Sequence, residues 1–485
     1  MVSFRNRFQS WAIALQCIVA LAFMMTACDD DDYSVSQADR LYFSQDSVTL
    51  DTVFSNVPTT TRSFWVYNKT GSHLKCSTVR LENGNQTGFR VNVDGVYLGA
   101  ENGFQTTEVE VRKGDSIRVF VELTSPFNHA EEPQWLEDQL IFQLESGLQQ
   151  KVNLNAWSWD AELLDGLDIQ RDTTLAPTGP VVLRKSIVVD SAATLTVAAG
   201  TTLYFHDGAG IDVYGRLLCE GTAENNIVLR GDRLDRMFDY LPYDNVSGQW
   251  SGIRIHESSY GNLLLFTDLH SAFDGVVVDS SDVEKLKLEV TCSTIHNCQG
   301  YGLKATSAQV LVQSSQITNT LNDCLAVYGG ITEVNNVTLA QFYPYDSNRG
   351  VALRFSALQH PVVSFYCHNT LVTGYADDEI MGEANDSTTQ FNYMFENCIL
   401  RTPAITTDDS VRFASVSFED VEDTTQTGAK HFKKIDTQNL RYDFHLDSIS
   451  PAIGKSSATT SYPFDRDGNP RSIGYDIGAY IYQKE

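Results

Sequence analysis

Acidic and histidine side chains stand next to each other at three places where they could take part in acid–base catalysis. The clusters are His206-Asp207, His256-Glu257 and the acidic run 377–379. A polysaccharide lyase needs a base and a cation. A glycosidase needs two carboxyl groups on one exposed face. Each cluster also has a structural interpretation, because acids at chain turns normally contact only solvent. We therefore predict no catalytic residue.

A second kind of candidate site is the segment 231–253, which interrupts the repeats described below. An insertion into a stacked-repeat fold forms a loop on one face, where aromatic rings and charged groups can bind sugars. The alternative is a loop that folds back, with its aromatic rings buried and its arginines in internal pairs. The aromatic segment 342–345 is a weaker candidate of the same kind. The candidate ligand-binding residues are Arg233, Phe238, Tyr240, Tyr243, Asp244 and Trp250.

The repeats begin after about residue 180. Pairs of apolar residues, such as Ile187 with Val189 and Leu195 with Val197, are separated by glycines. From residue 266 onward a related motif returns every 22 to 29 residues, apart from loop insertions. This period is typical of a solenoid, because one coil cannot bury its apolar face without its neighbours. The pattern predicts a parallel β-helix over residues 181–445.

Residues 446–485 have the features of a cap, which an open β-helix end needs to cover its unpaired strand edges. The predicted cap residues are Asp467, Arg471 and Asp476, with Arg471 and Asp476 paired across a tight turn. This stretch resembles the terminal motif of bacterial pectate-lyase-like proteins, which implies a right-handed parallel β-helix. Calcium at Asp465, Asp467 and Asn469 is an alternative interpretation, although the EF-hand spacing is incomplete. No other cofactor is predicted.

Residues 41–157 alternate apolar and polar positions with period two. Phe64 with Val66, and later Val119 with Val121, lie on one face of their predicted strands. This alternation predicts an antiparallel β-sandwich. The region is similar to the immunoglobulin-like domains that accompany surface β-helices in Bacteroidetes, which implies a spacer. A linker at 158–180 is predicted to follow.

The N-terminus has the features of an export signal. Arg5 and Arg7 precede the apolar run 11–25, which is too short for a membrane span and leads to Cys28. The residues before Cys28 resemble a lipobox, which implies removal of residues 1–27 and lipidation of Cys28.

An acidic stretch follows directly. Residues 29–32 are all aspartate, which resembles the surface-export signal of Bacteroidetes lipoproteins. Residues 28–40 are therefore interpreted as an acidic tether. The expected location is the outer membrane, with the chain anchored by lipid and facing the cell exterior.

Composition limits the expected partners. The chain has 485 residues, of which 42% are hydrophobic, and a formal net charge of −27. Such a charge repels nucleic acid and anionic membranes, so we expect membrane contact only through the lipid anchor. Apart from Cys17 and Cys28, seven irregularly spaced cysteines remain. An odd number favours buried thiols over a disulfide framework.

The sequence thus predicts an all-β protein, a right-handed parallel β-helix preceded by an antiparallel immunoglobulin-like sandwich. Because no catalytic set accompanies the aromatic insertion, the predicted function is a non-catalytic glycan-binding or adhesive module at the cell surface. The alternative is a polysaccharide lyase or glycoside hydrolase acting on an acidic polysaccharide. The expected partner is a polysaccharide or another surface protein.

Overall fold

The computed structural model describes residues 32–238, 240–385, 390–473 and 475–484. The predicted signal peptide 1–27 and lipidation site Cys28 lie outside them. The described residues form β-strands and short 3-10 helices, and none of these helices is long and apolar enough to cross a membrane. The 3-10 helices are Ala100–Asn102, Tyr243–Asn245, Asp408–Arg412, Gly428–His431 and Arg471–Ile473.

Two five-stranded sheets form the predicted antiparallel sandwich. Phe43 of the first sheet packs on Phe142 of the second, with ring centroids 5.2 Å apart. In spatial order the first sheet consists of Tyr42–Phe43, Arg62–Tyr67, Ser116–Leu123, Phe89–Val93 and Val96–Tyr97. The second consists of Ser47–Phe54, Gln149–Trp159, Gln134–Leu144, Leu74–Leu81 and Gln105–Val111.

The larger unit is a parallel β-helix, which confirms the predicted fold class. An eleven-stranded sheet runs along it, and strands of successive coils pair in parallel. Its strands are Glu162–Leu164, Val181–Leu183, Thr202–Phe205, Ile227–Gly231, Thr267–His270, Thr294–Cys298, Gln316–Thr320, Thr338–Gln341, Leu371–Gly374, Ile399–Leu400 and Ser417–Phe418.

A seventeen-stranded sheet contains the other strands of the coils, again paired in parallel with the next coil. Its strands are Leu167–Ile169, Thr173–Leu175, Ile187–Val189, Thr194–Ala198, Ile211–Val213, Arg216–Glu220, Ile253–Ile255, Asn262–Leu265, Val276–Val278, Leu286–Thr291, Leu303–Gln313, Leu325–Asn335, Leu353–Ser356, Val362–His368, Ile380–Glu383, Phe391–Glu396 and Phe413–Ala414.

Apolar side chains in register form the core of the β-helix. One inward ladder continues through eight coils, because each residue is the partner of the next in a parallel pair. Burial of each such side chain contributes about 1.5–3 kcal/mol, which only the stacked coils provide. The ladder consists of Ile187, Ile211, Ile253, Val276, Leu303, Leu325, Leu353 and Ile380.

The β-helix begins earlier than the sequence indicated. The predicted linker 158–180 contains Glu162–Leu164, which pairs in parallel with Val181–Leu183 of the next coil. Two further strands in this segment pair with the same coil in the seventeen-stranded sheet. Residues 162–175 therefore form a first coil, whose alternation is too short to stand out in the sequence.

The cysteines pack as neutral thiols. All seven that the structure describes are free and buried. Burial raises the pKa of Cys219 and Cys324 to about 12, so both thiols stay protonated and unreactive. The interpretation of Cys292, Cys324 and Cys398 as packing residues is confirmed.

Arg471 stabilises the C-terminal segment in a different way from the one predicted. The residue is 1% exposed, and its guanidinium donates to the backbone carbonyls of Asp476, Gly478 and Ala479 at 3.2, 2.8 and 3.1 Å. The Asp476 carboxylate accepts two backbone N–H bonds of its own. Both side chains therefore form hydrogen bonds with backbone groups of the turn. The predicted side-chain pair between Arg471 and Asp476 is wrong.

Residues 464–473 and 475–482, the C-terminal strap, lie along the side of the β-helix rather than over its last coil. Tyr480 donates from its hydroxyl to Gln316 Oε1 at 2.7 Å, and Arg466 donates from Nε to Thr294 Oγ1 at 2.7 Å. Thr294 and Gln316 are register partners in the eleven-stranded sheet. The strap lies along the sheet here because the outward side chains of Thr294 and Gln316 accept its hydrogen bonds.

Candidate functional site

Three ionisable side chains meet on the outer face of the eleven-stranded sheet. Asp268 and His270 are two residues apart in Thr267–His270 and therefore point to the same face. In the next coil, His296 is the register partner of His270, and their ring centroids are 4.9 Å apart. Stacking of the coils thus brings together residues from two sequence repeats.

Asp268 lies at the centre of this group. Its Oδ1 is 2.9 Å from Nδ1 of His270 and 3.3 Å from Nε2 of His296. One potential ligand atom of each residue lies within 4.8 Å of the other two. The side chains of Asp268 and His296 are 33% and 26% exposed, so the group is accessible from outside.

The three side chains favour each other's charged forms. Burial alone would raise the pKa of Asp268, but His296 and His270 hold it well below its usual value. Burial would lower the pKa of His270, but Asp268 and Asp244 raise it to about 9. Asp268 and His270 therefore form an ion pair at neutral pH in this structure.

Asp244 brings the insertion 231–253 to the same group. Its Oδ1 is 3.7 Å from Nε2 of His270 and 2.5 Å from Nη2 of Arg230. The backbone carbonyl of Asp244 accepts hydrogen bonds from Ser271 and Asn297, which hold the insertion against the sheet. His270 consequently has a carboxylate at each ring nitrogen.

A hairpin and the C-terminal strap form a second wall beside this sheet. The hairpin consists of the antiparallel strands Phe432–Asp436 and Arg441–Leu446. On it, His445 places Nδ1 2.6 Å from Asp443 Oδ1 and Nε2 2.8 Å from Asp467 Oδ2 of the strap. Asp467, predicted as a structural cap residue, thus links the strap to the hairpin.

The two walls border an open cleft of about 730 Å³. Asp268 and His296 line it from the sheet, and Asp443, His445 and Asp467 line it from the hairpin and strap. A space of this size accommodates a short stretch of a sugar chain.

Aromatic and cationic side chains complete the lining of the cleft. The rings of Tyr442, Phe444 and Tyr480 offer apolar surface, and Arg441 and Arg466 offer hydrogen-bond donors. The buried Tyr442 hydroxyl has no hydrogen-bond partner among the described residues. Rings beside charged donors are the combination that proteins use to hold sugars.

We predict that His445 titrates above the ordinary histidine value of 6.5, because Asp467 and then Asp443 raise its pKa. A raised pKa in the folded state stabilises the contact between hairpin and strap at low pH. This contribution is lost as pH rises through the raised pKa. Titration of the ring protons by NMR measures it, and Asp467→Asn should lower the value. An unchanged pKa in that variant would contradict the assigned contact.

Two of the predicted ligand-binding residues have internal roles. Trp250 is 1% exposed and stacks on Phe205 in the core, with ring centroids 4.4 Å apart. Arg233 forms an ion pair with Asp235 and lies 4.6 Å from the ring centroid of Tyr243. These contacts agree with the alternative of a loop folded back over the β-helix, since they use the groups that a ligand would need.

Phe238 and Tyr240 lie at the exposed end of the insertion. In the short antiparallel hairpin of Arg236–Phe238 with Leu241–Pro242, Phe238 ends the first strand and Tyr240 directly precedes the second. Their rings stack with centroids 5.7 Å apart. Their exposed fractions are 51% and 70%. Neither ring lines the cleft.

The three clusters singled out in the sequence do not line the cleft either. His206 pairs with Asp232 at 2.7 Å, and His256 pairs with Asp212 at 2.9 Å on the seventeen-stranded sheet. Glu379 was expected to contact solvent, and this expectation is wrong. It is fully buried, which raises its pKa to about 8, and it accepts backbone N–H bonds that fix a bend.

The sequence does contain a signal for the cleft residues. Asp268, His270 and His296 stand in two consecutive repeats, each next to an inward apolar residue, Leu269 or Ile295. Superposing those repeats would have placed His270 beside His296. The contributions of Asp443, His445 and Asp467 depend on where the hairpin and strap fold back, which no local pattern indicates.

Comparison with known proteins gives no assignment by sequence: no family model and no curated protein matches the chain. Solved structures do match. The family 123 glycoside hydrolase from Clostridium perfringens is 7% identical, with a TM-score of 0.17. The alignment covers 24% of this chain and 26% of that one, so the chain spans about a quarter of this structure's length.

Two matches are longer. The Agl-KA catalytic domain is 14% identical over 73% of this chain and 72% of its own, with a TM-score of 0.29. The catalytic unit of the thermostable GH87 alpha-1,3-glucanase from Streptomyces thermodiastaticus is 11% identical over 74% of this chain and 88% of its own, with a TM-score of 0.26. At such TM-scores no residue role is transferred to this chain.

The prediction of a non-catalytic glycan-binding or adhesive module is nevertheless corrected. Two of the matched structures are named as glycoside hydrolases and the third as a catalytic domain. The sequence prediction rested on a missing catalytic set, and the cleft contains acids and histidines on both walls. Sequence reasoning overlooked them because they come from separate coils, the hairpin and the strap.

Proposed function

We propose that this protein cleaves glycosidic bonds of a polysaccharide bound in the cleft, by hydrolysis. The observation that carries this proposal is that two acid–histidine sets, Asp268 with His296 and Asp467 with His445, line the same cleft. Hydrolysis of a glycoside requires one group that activates water and another, across the bond, that protonates the leaving oxygen.

The two walls can divide these tasks. Water near Asp268 and His296 attacks the anomeric carbon and gives up a proton to the Asp268 carboxylate. The glycosidic C–O bond breaks, and the leaving oxygen takes a proton from the pair His445–Asp467. The half-buried ring of Tyr442 can stack on a sugar beside the bond.

The lining favours a glycan with few charges. Asp268, Asp443 and Asp467 repel a dense polyanion, and the whole chain has a net charge of −27. Arg441 and Arg466 in the same lining favour a second candidate, a lyase acting on a uronic acid polymer, since guanidinium groups bind carboxylates.

The proposed setting is the surface of a Bacteroidetes-type cell. We propose that the chain is a lipoprotein anchored through Cys28 in the outer membrane and that the sandwich, as an immunoglobulin-like spacer, holds the β-helix away from the lipid. The acidic charge and the export-signal features of the N-terminus support this location. Its partner there is the polysaccharide, and nucleic acid is not among its ligands.

The test is a depolymerisation screen of the chain from residue 29 on neutral glucans and on polyuronates. New reducing ends without unsaturated products support hydrolysis. Products that absorb ultraviolet light as unsaturated uronates support the lyase instead. Absence of products on every polymer, with the fold verified by circular dichroism, would overturn both candidates.

A further inference from the structure

We propose that Asp268, His270 and His296 bind a divalent transition-metal ion at the wall of the cleft. This inference rests on the proposed function only for its role in catalysis, since ion binding can be measured alone. Two imidazole nitrogens and one carboxylate oxygen form a common ligand set for such ions, which leaves positions open for water or substrate.

The spacing of the ligand atoms fits one ion. Asp268 Oδ1 lies 2.9 Å from His270 Nδ1 and 3.3 Å from His296 Nε2. Ligands that are each about 2.0–2.2 Å from a zinc ion stand roughly 3–3.5 Å from each other. All three atoms lie within 4.8 Å of one another, so only small side-chain rotations are needed. Binding displaces the proton that His270 holds in its ion pair with Asp268, since an imidazole ligand is neutral.

The backbone positions these ligands before any ion arrives. Asp268 and His270 share one strand face, and the parallel pairing fixes His296 beside them. A rigid sheet therefore supplies all three ligands. Preorganisation of this kind lowers the entropic cost of binding.

Asp244 provides an independent observation in favour of a metal. It lies 3.7 Å from Nε2 of His270, the ring nitrogen opposite the one that faces Asp268. Histidine ligands usually direct their second nitrogen to a carboxylate, which orients the ring and makes the ligand more basic. Arg230 holds Asp244 in place at 2.5 Å.

The ligand types indicate which ions bind. Imidazole nitrogens favour zinc, cobalt, nickel, copper and iron over calcium and magnesium, which prefer oxygen. At the alternative calcium position, Asp465, Asp467 and Asn469, the Asp465 carboxylate bonds backbone groups of its own turn. Both Asp465 oxygens accept hydrogen bonds, including those from the backbone N–H groups of Asp467 and Asn469.

A bound ion would supply the activated water, because coordination to zinc lowers the pKa of a water molecule to about 7. Asp268, His270 and His296 would hold the ion, and two of these residues, Asp268 and His296, line the cleft.

The test uses the full mature chain, stripped with a chelator and titrated with Zn²⁺ and Co²⁺ by calorimetry, with visible absorption as a second readout for Co²⁺. We expect one ion per chain. His296→Ala, which removes a ligand, should weaken binding at least about 100-fold. Asp244→Asn should weaken it about 10- to 100-fold, as is usual for partners of metal-bound histidines.

His256→Ala is the matched control. His256 also lies between two carboxylates, 2.9 Å from Asp212 and 3.5 Å from Asp279, but outside the cleft. This variant should keep the affinity and stoichiometry. Absence of binding by the wild type, or equal binding by His296→Ala, would overturn the metal site. Binding without polysaccharide cleavage would leave the site standing and overturn the proposed function.

Discussion

Replacement of Asp268 by asparagine is expected to lower the rate of polysaccharide cleavage about 100- to 10,000-fold, the range for loss of a group that moves protons or positions water. The asparagine has the same shape and is only part-buried, so the fold should be retained. The carboxylate is the common partner of His270 and His296, so its loss leaves both rings without the negative charge that they share. Initial rates of reducing-end formation measure the effect.

Asp212→Asn is the control for this prediction. Asp212 also contacts a histidine on the β-helix surface, His256 at 2.9 Å, but it does not line the cleft. Cleavage by this variant should match that of the wild type. Equal rates for Asp268→Asn and the wild type would show that the reaction occurs elsewhere.

Arg471→Met is expected to destabilise the β-helix by about 3–5 kcal/mol, the cost of leaving buried polar groups without their charged partner. The methionine fills much of the volume but cannot bond the carbonyls of Asp476, Gly478 and Ala479. Burial lowers the pKa of Arg471 to about 10, yet the residue remains charged at neutral pH. The free energy of unfolding in urea measures the change.

Arg254→Met tests whether loss of any arginine has this effect. The Arg254 side chain is 58% exposed and pairs with Asp279 at 3.2 Å. An exposed pair contributes about 0–1 kcal/mol, so this variant should unfold close to the wild type. Similar losses in both variants would contradict the structural role assigned to Arg471.

The fold was predictable because the same pattern of inward apolar residues and turn residues recurs in every coil. Ile187 and Ile211 occupy the same inward position of successive coils, as Leu303 and Leu325 do, and register follows from the repeat. The first coil at residues 162–175 was assigned to a linker because its strands have only three residues each. Such short strands receive their structure from the coil stacked on them.

The site was less predictable because its residues are distant in the sequence. His296 is adjacent to His270 only through the parallel register, and His445 meets Asp467 only after the strap folds back. Aromatic content drew attention to Trp250, whose ring is used in the core. Asp244 of the same insertion, also a predicted ligand-binding residue, contacts His270, and the adjacent Asn245 lines the cleft.

Hydrogen–deuterium exchange of the Asp268→Asn variant, with and without the polysaccharide that the wild type cleaves, tests whether the polysaccharide binds in the cleft. We expect slower exchange in the hairpin at 441–446 and in the strap at 465–469, since both border the cleft. Slower exchange confined to the sandwich at 41–157, with the hairpin and strap unchanged, would contradict it.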